Sequence, residues 1–343
     1  MIPKPRRKDW QIGVIGTGGI TESHLKAYAT EGWHVAALWN RTRTTAEEKR
    51  DRLAPRARVE EDWHQILADP SIDIVDITLH PEHRTPIVEA ALKAGKHVLS
   101  QKPFVTDLDR GEELVALADD QGVKLAVNQN GRWAPHFQYI REAMRAGRIG
   151  TLLSAHARVH WNHLWTAGTP FDDLPDLILY DFGVHWFDFV ASLAGDRLQA
   201  VSATATHGRS QENKTAMLAQ ALIRLDGGQA SLAFDGLTEY GGVDDTMVTG
   251  TKGTLRATGP DLNAQSVTLT TAAGTETPQL EGQWFDDGFR GTMNELMCAI
   301  EEDRTPENNA RDNLLSLALT FAAVASRHEG REVKVGEVRR LKY

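Results

Sequence analysis

Three side chains in this sequence have the types that removing a proton from an alcohol requires. Lys102 follows the apolar pair Val98 and Leu99, and Asp181 and His185 stand four residues apart in a helical pattern. An imidazole titrates near neutral pH, a neighbouring carboxylate favours its protonated form, and an ammonium stabilises charge on an alcohol oxygen. The plainer alternatives are a surface lysine before a loop and an ordinary helical ion pair.

The elements around Lys102 predict a nucleotide-binding fold. Gln11–Ile15 is typical of a short buried strand, and the glycine turn 16–21 and a helix follow it at once. Strands and helices then alternate as far as Val127, which predicts right-handed crossovers and a parallel sheet. Pro103 cannot continue a ladder, so we expect the fifth strand to end at Lys102, at the sheet edge where ligands of such folds bind.

The glycine turn and the second strand predict binding of a dinucleotide. Gly16 permits a tight turn and Gly18 lets the backbone approach a pyrophosphate, but Thr21 stands in place of the third glycine, which leaves a chance loop open. A carboxylate after the second strand would repel a 2′-phosphate. Asn40 removes that repulsion, and Arg41 and Arg43 add positive charge, so the sequence favours NADP and leaves NAD possible. Alternatively, the arginines only begin a solvated helix.

The second half of the chain alternates apolar and polar residues and predicts a mostly antiparallel sheet. One helical segment, 177–195, interrupts the strands, and a regular helix would place Asp181, His185 and Asp188 on one face. We interpret Asp188 as structural. His160 and His163 lie where the first strand leaves this sheet and could line a sugar pocket, whereas no group of residues has the spacing of metal ligands.

Length, charge and composition exclude several classes of protein. A chain of 343 residues exceeds the size of one typical core and predicts two domains. A net charge of −9 argues against a nucleic-acid or membrane-surface binder, which needs a basic face. We predict a disordered basic leader over 1–8, a Rossmann dinucleotide-binding domain over 9–128, a substrate-binding and oligomerisation domain over 129–343, and a cytoplasmic location.

Four segments together resemble the Gfo/Idh/MocA family of NAD(P)-dependent oxidoreductases. They are the glycine turn from Gly16, the stretch 90–103 that ends in Lys102-Pro103, the segment 132–135, and the segment 181–188, which begins Asp181-Phe-Gly-Val-His185. The family pattern has Glu where this chain has Gln101, whose amide can still hydrogen-bond the nicotinamide ribose. Leu79 and His80 replace part of a Thr-Pro-Asn segment, which leaves the nicotinamide-side contacts open.

The resemblance implies a Rossmann domain followed by an α/β domain with a large, mostly antiparallel sheet, and a homodimer or homotetramer built on that sheet. It implies a sugar or polyol dehydrogenase in which Lys102, Asp181 and His185 are catalytic. Alternatives within the same scaffold are a dinucleotide-sensing regulator without turnover and an NAD-dependent glycosidase. The residues assigned to the cofactor are Gly16, Thr17, Gly18, Gly19, Ile20, Asn40, Arg41, Arg43, Leu79, His80, Gln101 and Lys102. Those assigned to a carbohydrate substrate are Lys102, Asn130, His160, His163, Asp181 and His185.

Overall fold

The computed structural model describes residues 2–209 and 211–341, and the chain divides into two compact units. The first unit extends to Trp133 and also includes Phe285–Leu314. The second consists of Ala134–Trp284 and the residues from Leu315 onwards. The predicted leader 1–8 and the predicted domain 129–343 contain four residues that lie outside the described part: Met1, Ser210, Lys342 and Tyr343.

A parallel sheet organises the first unit. Its strands are β1 (Gln11–Ile15), β2 (His34–Trp39), β3 (Arg58–Val59), β4 (Ile74–Ile77), β5 (His97–Ser100) and β6 (Leu125–Val127). They lie in the order β3-β2-β1-β4-β5-β6, and every neighbouring pair is parallel. The helices between them are α1 (Thr21–Glu31), α2 (Arg43–Leu53), α3 (Trp63–Ala68), α4 (Pro81–Lys93) and α5 (Leu108–Asp120). This architecture confirms the predicted Rossmann doubly wound sheet.

A late segment of the chain completes the core of the first unit. Helix α8 (Trp284–Glu301) buries Phe289, Met293 and Leu296 in a hydrophobic cluster that also contains residues of β1 and α1. The segment before β1 has no regular secondary structure, but it lies against the same unit. The Arg7 guanidinium donates two hydrogen bonds to the Asp73 carboxylate, at 3.0 and 2.9 Å. Residues of the predicted disordered leader therefore make defined contacts.

A nine-stranded sheet organises the second unit. Its strands are β7 (Leu152–His160), β8 (Leu198–Thr206), β9 (Leu218–Leu225), β10 (Gly228–Asp235), β11 (Val243–Gly250), β12 (Gly253–Gly259), β13 (Ser266–Thr271), β14 (Gly274–Glu276) and β15 (Val333–Lys334). They lie in the order β14-β13-β12-β11-β7-β10-β9-β8-β15. β7 and β10 are parallel, and the other neighbouring pairs are antiparallel. The predicted mostly antiparallel sheet is confirmed.

Helices cover one face of this sheet. The helices that contribute to the second unit are α6 (Pro135–Arg145), α7 (Val184–Ala194) and part of α9 (Ala310–Glu329). Trp186 of α7 lies 5.5 Å, ring centre to ring centre, from Phe234 of β10, and Phe137 of α6 stacks on Phe189 at 4.2 Å. Strand β9 alternates buried and solvent-facing residues, as expected for a sheet with one covered face.

Within residues 2–209 and 211–341, no helix has the length and apolar character needed to cross a bilayer. The cytoplasmic location stays a prediction.

Candidate active site

The glycine turn after β1 leaves free space beside its backbone. Gly16 has φ +102°, a conformation that L side chains rarely adopt, and a Cβ atom there would lie 2.8 Å from the Thr78 hydroxyl. A Cβ atom at Gly18 or Gly19 would meet nothing within 4 Å. Helix α1 begins after Ile20, and no side chain caps its first turn. Backbone N–H groups and free space therefore meet at a helix N-terminus, as a pyrophosphate requires.

Thr21 explains how the turn is built without its third glycine. Its buried hydroxyl lies 2.8 Å from the Thr78 hydroxyl, and both hydroxyls donate to the Gly16 carbonyl oxygen, at 3.3 and 2.9 Å. The side chain that replaces the glycine thus fixes the turn to the end of β4. The Thr17 hydroxyl is also buried but has no hydrogen-bond partner among the described residues. It is a polar group for which a bound phosphate oxygen would be a suitable partner.

The side chain of Asn40 forms hydrogen bonds with two backbone groups of the protein. Its Oδ1 accepts a hydrogen bond from the Thr17 backbone N–H at 3.1 Å, and its Nδ2 donates to the Thr42 carbonyl oxygen at 3.1 Å. Asn40 therefore links the end of β2 to the glycine turn, in addition to the predicted role beside the ribose. The glycine turn predicted to bind the pyrophosphate and the end of β2 predicted to lie beside the ribose are therefore adjacent.

The two arginines after β2 differ in their surroundings. Arg43 pairs with Glu47 at 2.8 Å and lies 3.7 Å from Glu61. Arg41 is exposed and has no ion pair or hydrogen bond in the described part of the chain. Arg41 is therefore the more available cation for a phosphate at this edge.

Leu79 and His80 lie between β4 and α4. The Leu79 side chain borders the glycine turn, since a Cβ atom at Gly16 would lie 3.0 Å from it. His80 is the exposed N-cap of α4, with Pro81 as the first helical residue. His80 and His83 belong to no group of three or more potential metal ligands, and the described residues contain no such group elsewhere.

Lys102 lies two residues beyond the fifth strand, not at its last residue as predicted. Regular β5 ends at Ser100, although the Gln101 backbone N–H still donates to the Ile77 carbonyl oxygen at 3.0 Å. The peptide bond between Lys102 and Pro103 is cis. Gln101 is buried, with 5% of its surface exposed, and Lys102 is half-buried. Lys102 is thus the first residue after the last ladder hydrogen bond of this strand.

The Gln101 side chain fixes the backbone of Lys102. Its Oε1 accepts hydrogen bonds from the Lys102 backbone N–H at 2.9 Å and from Asn128 Nδ2 at 2.8 Å. Its Nε2 has no hydrogen-bond partner within the described residues, and it is not among the fully buried polar atoms. An amide at this position can therefore accept from the protein and still offer a donor outward.

A buried polar network supports Gln101 from behind. Asn128 Nδ2 also contacts His24 Nε2 at 3.1 Å, and the Thr292 hydroxyl donates to Asn128 Oδ1 at 2.8 Å. His24 Nδ1 lies 2.8 Å from the Asp76 carboxylate, to which the Tyr28 hydroxyl donates at 2.6 Å. Burial raises the pKa of the Tyr28 phenol well above its usual range, so this hydroxyl remains a donor. The network holds one orientation of the Gln101 amide.

Asn130, the remaining substrate candidate of the first unit, begins a 3₁₀ turn after β6, Asn130–Trp133. It is buried, and Gly288 of α8 packs on its backbone, because a Cβ atom at Gly288 would lie 2.6 Å from the Asn130 carbonyl oxygen. Asn128 and Asn130 therefore belong to one buried segment that directly follows β6.

The predicted regular helix over 177–195 is wrong in its first part. Residues Ile178–Phe182 form a π-helical turn, and α7 begins only at Val184. The junction is Gly183, where a Cβ atom would lie 2.7 Å from the carbonyl oxygens of Ile178 and Leu179. Asp181 is therefore in the π-turn and His185 is in the α-helix. The spacing argument that placed them on one regular helical face does not hold here, and π-turns of this kind occur often at functional sites.

The aromatic surroundings connect His185 and His163 to neighbouring elements of the second unit. The half-buried His185 ring lies edge-on to Trp284, with ring centres 5.4 Å apart. His163 packs against Phe182, the neighbour of Asp181, at 4.4 Å, and burial lowers its pKa to about 4. His163 thus contacts the turn that carries Asp181. His160 lies at the end of β7, 3.9 Å from the Asp235 carboxylate. Asp188 accepts a hydrogen bond from the Ser316 hydroxyl at 2.7 Å, in agreement with a structural role.

The two halves of the sequence match two parts of one family. Residues 10–129 match an oxidoreductase family with an NAD-binding Rossmann fold, and residues 137–256 match the Gfo/Idh/MocA C-terminal domain. The chain belongs to the Gfo/Idh/MocA oxidoreductase family.

Named relatives of this Gfo/Idh/MocA protein include sugar and polyol dehydrogenases. D-Apiose dehydrogenase of Paraburkholderia graminis is 28% identical over 96% of this chain and 90% of its own length. The NADP(+)-type scyllo-inositol 2-dehydrogenase of Bacillus subtilis is 38% identical over 43% of this chain and 41% of its own length. Among solved structures, an oxidoreductase from Agrobacterium radiobacter in complex with NAD+, L-tartaric acid and magnesium has the same fold. It has a TM-score of 0.86 at 21% identity and covers 96% of this chain and 99% of its own.

Several residues that support this Gfo/Idh/MocA site were not predicted from the sequence. Asn128 directly follows β6, so the rule that singled out Lys102 after β5 could have identified it. Asp76 gave a weaker indication. It stands in an otherwise apolar strand, and a buried carboxylate in such a strand needs hydrogen-bond or charged partners. Thr292 is 164 residues from Asn128, and nothing in its local pattern indicates the contact.

Proposed function

We propose that this protein is an NAD(P)-dependent dehydrogenase that oxidises a hydroxyl group of a sugar, a sugar derivative or a polyol. The observation that carries the proposal is the position of Lys102. It follows the ladder of β5 directly, with its backbone fixed by Gln101, in the unit that carries the glycine turn. In a doubly wound sheet this is the edge at which ligands bind. The names of two relatives, D-apiose dehydrogenase and scyllo-inositol 2-dehydrogenase, support the substrate class.

In the proposed reaction three side chains act on one alcohol. The bound nicotinamide supplies a hydride acceptor at its C4 atom. His185 takes the hydroxyl proton, and Lys102 donates a hydrogen bond to the same oxygen and stabilises its alkoxide character. Asp181 orients the substrate and favours the imidazolium form of His185. Hydride transfer needs the two carbon atoms close together, so positioning contributes more than acid strength.

The residues of the first unit suit the dinucleotide. The open backbone at Gly18 and Gly19, the uncapped start of α1 and the Thr17 hydroxyl suit a pyrophosphate. Gln101 Nε2 is a donor suited to a ribose hydroxyl. We propose a preference for NADP, because Arg41 is exposed without an ion-pair partner in the described part and no carboxylate ends β2. NAD remains the alternative cofactor.

Replacing Asn40 by aspartate is expected to shift the preference towards NAD. The introduced carboxylate could still accept the Thr17 N–H, but it would face the Thr42 carbonyl oxygen without a donor and would repel a 2′-phosphate. We expect the ratio of kcat/KM values for NADP over NAD to fall by about tenfold or more, which corresponds to about 1.4 kcal/mol. Steady-state kinetics with both cofactors measure it. Glu48→Gln, at an exposed position of α2, is the control, and an unchanged ratio in Asn40→Asp would refute the assigned position of the ribose.

The proposed function is tested by a substrate screen with the full chain. Aldoses, ketoses, inositols and aldonic acids are offered with NAD and with NADP, and the absorbance of the reduced cofactor is followed. Accumulation of reduced cofactor with a sugar or polyol is the expected result. Binding of a dinucleotide without oxidation of any substrate would instead indicate a sensor. Cleavage of an aryl glycoside without accumulation of reduced cofactor would indicate a glycosidase.

We propose in addition that two copies associate through the uncovered face of the nine-stranded sheet, as a homodimer or as half of a homotetramer. Leu222 of β9 and Met247 of β11 are 63% and 42% exposed and lie in one cross-strand row of this face, separated by Ser231 of β10 and His156 of β7. Exposed apolar side chains in one row are typical of an interface.

Leu222→Asp is expected to lower the oligomeric state, because it places a carboxylate in the proposed apolar contact. Light scattering coupled to size-exclusion chromatography measures the mass. Tyr240→Asp, which changes an 87% exposed side chain in a loop outside the strands, is the matched control. The same mass for Leu222→Asp and the wild-type protein would place the interface elsewhere.

A further inference from the structure

The buried hydrogen-bond network behind Gln101 ends at two groups whose roles are fixed. At one end, the Lys102 backbone N–H can only donate, and its partner at 2.9 Å is the Gln101 side chain. At the other end, the buried Asp76 carboxylate accepts from the Tyr28 hydroxyl at 2.6 Å. Because both ends are fixed, only one direction of the hydrogen bonds between them is possible.

The Lys102 end determines which atoms donate. The Gln101 atom that meets the Lys102 N–H must be the oxygen, Oε1. The Asn128 atom that lies 2.8 Å from this oxygen must donate, so it is the nitrogen, Nδ2. That nitrogen also lies 3.1 Å from His24 Nε2, which must therefore accept and carry no proton. Thr292, another partner of Asn128, has a hydroxyl that can donate or accept, so it does not decide the direction.

The Asp76 end leads to the same state of His24. His24 Nδ1 lies 2.8 Å from the Asp76 carboxylate and 3.4 Å from the Tyr28 hydroxyl oxygen. The Tyr28 proton is donated to Asp76, so both neighbours of Nδ1 act as acceptors. His24 must therefore carry a proton on Nδ1, while its Nε2 accepts from Asn128. The two ends together define one tautomer for a histidine that is 1% exposed.

This direction determines which atom Gln101 presents to a ligand. Two donors hold Oε1 inward, so Nε2 points away from the network, and Nε2 is not among the fully buried polar atoms. Turning the amide round would bring its NH₂ group against the Lys102 N–H and against Asn128 Nδ2, which are both donors. Gln101 therefore presents only a donor, whereas an amide without such a network can present either atom.

We propose that Asp76, His24 and Asn128 are positioning residues of the cofactor site. They form a directional hydrogen-bond relay that acts through Gln101. The relay makes Gln101 offer an N–H group to an oxygen atom of the dinucleotide, while the Gln101 oxygen holds the Lys102 backbone. All of these residues belong to the first unit. The proposal rests on the proposed cofactor role of Gln101, but the direction of the relay is a property of the unliganded protein and is measured without a substrate.

The first measurement uses the unliganded full chain and needs no variant. The ¹⁵N signals of the His24 ring distinguish the two tautomers, and we expect a protonated Nδ1 and an unprotonated Nε2. We also expect slow hydrogen exchange of the Lys102 backbone N–H, because Gln101 accepts from it. A His24 ring with its only proton on Nε2 would overturn the proposal.

Asn128→Asp reverses the relay with almost no change of shape. A carboxylate cannot donate, so Gln101 must turn its Nε2 inward and His24 must protonate Nε2 as well as Nδ1. We expect both ring nitrogens of His24 to be protonated, and exchange of the Lys102 N–H to be at least about tenfold faster, because that group loses its acceptor. Asn263→Asp, at an exposed position of the loop between β12 and β13, is the control and should change neither quantity.

The double variant Asp76→Asn with Asn128→Asp separates the direction of the relay from its charge. An amide at position 76 can donate to His24 Nδ1, so His24 should return to a single proton, now on Nε2. Gln101 still turns its oxygen outward. We therefore expect the dissociation constants of NADPH and NADH, from fluorescence titration, to lie roughly three- to tenfold above the wild-type values in both Asn128→Asp and the double variant.

Gln101→Glu tests the last link of the relay. Its carboxylate accepts from the same two donors, so the His24 signals and the exchange of the Lys102 N–H should equal those of the wild-type protein. A His24 proton that moves to Nε2 in Gln101→Glu would overturn the proposal. So would a double variant in which the proton has moved to Nε2 while Lys102 exchange and both dissociation constants remain at wild-type values.

These outcomes are distinct from those that test the proposed reaction. The His24 signals, the Lys102 exchange and the dissociation constants require no turnover. If all three change as expected while the wild-type protein oxidises no sugar or polyol, the relay is supported and only the proposed reaction fails.

Discussion

Lys102→Ala and His185→Ala are each expected to lower kcat by roughly 10²- to 10⁴-fold, the range over which a positioned acid or base accelerates proton transfer. Lys102 stabilises the developing alkoxide and His185 removes its proton, so both side chains act in the transition state of the proposed reaction. Neither variant changes the glycine turn or Asn40, so the dissociation constant of the dinucleotide should change little. Steady-state kinetics and fluorescence titration with the reduced cofactor measure the two quantities.

Matched surface variants control for unspecific effects. Lys93→Ala removes an exposed lysine of α4 that pairs with Glu89 in the same helix, and His64→Ala removes an exposed histidine beside Asp62. Both should keep wild-type turnover. Near-normal kcat in Lys102→Ala or His185→Ala would show that the replaced residue does not act on the reacting alcohol. If the affinity for the cofactor fell by the same factor as kcat, the replaced residue would instead have a role in binding the cofactor.

Asp244→Asn is expected to remove a large pH dependence of the free energy of unfolding. Asp244 of β11 is completely buried, and neither of its carboxylate oxygens has a hydrogen-bond partner within the described residues. Burial, with smaller contributions from Asp245 and Asp261, raises its pKa from 3.8 to about 8. The folded protein therefore keeps a proton that the unfolded chain releases above about pH 4, so the contribution of Asp244 to stability falls as the pH rises towards 8.

The size of this effect follows from the pKa difference. Each pH unit between the two pKa values costs about 1.4 kcal/mol, so the stability of the wild-type protein relative to Asp244→Asn should fall by about 4 kcal/mol from about pH 5 to about pH 8. Urea denaturation at several pH values measures it. The comparison of the two proteins cancels the pH-dependent contributions of other groups to the free energy of unfolding. Examples are His97 and His163, whose pKa values burial lowers to about 4.

Asp245→Asn provides the control for the neighbouring position. Asp245 points to the other face of the sheet, is half-buried, and pairs with Arg256 at 2.9 Å. Its replacement should leave the falling stability profile in place. Parallel pH profiles for wild type and Asp244→Asn would show that the Asp244 carboxyl ionises normally in the folded protein.

Local sequence patterns were sufficient for the architecture of both sheets, because strand and helix periodicities are properties of neighbouring residues. Continuous apolar runs separated by amphipathic helices predicted the parallel sheet, and alternation predicted the mostly antiparallel one. The parallel pairing of β7 with β10 was beyond these patterns, since sheet order depends on contacts between strands that are far apart in the chain. The same reason applies to Phe285–Leu314, which local patterns could not place in the first unit.

The sequence also predicted which residues of the candidate site could act chemically, but it did not predict their structural surroundings. The Lys102-Pro103 step and the Asp181 and His185 pair stood out through residue type, spacing and family resemblance. The π-turn at Ile178–Phe182 did not, because most residues on both sides of it are apolar, so a change of helical period leaves no visible break in the pattern. The roles of Gln101 and Asn40 within the protein required coordinates, since an amide at the end of a strand can face either the protein or a ligand.

The sequence by itself determined the family, the two kinds of sheet and the residue types available for redox chemistry, because these follow from local periodicity and from motifs that are contiguous in the chain. Only the tertiary structure decided which buried polar groups find partners. His24, Asp76 and Asn128 form a connected network, whereas Asp244 and His136 are buried without hydrogen-bond partners in the described chain. The physical reason is that desolvation and hydrogen bonding depend on groups brought together from distant parts of the chain, which no local pattern records.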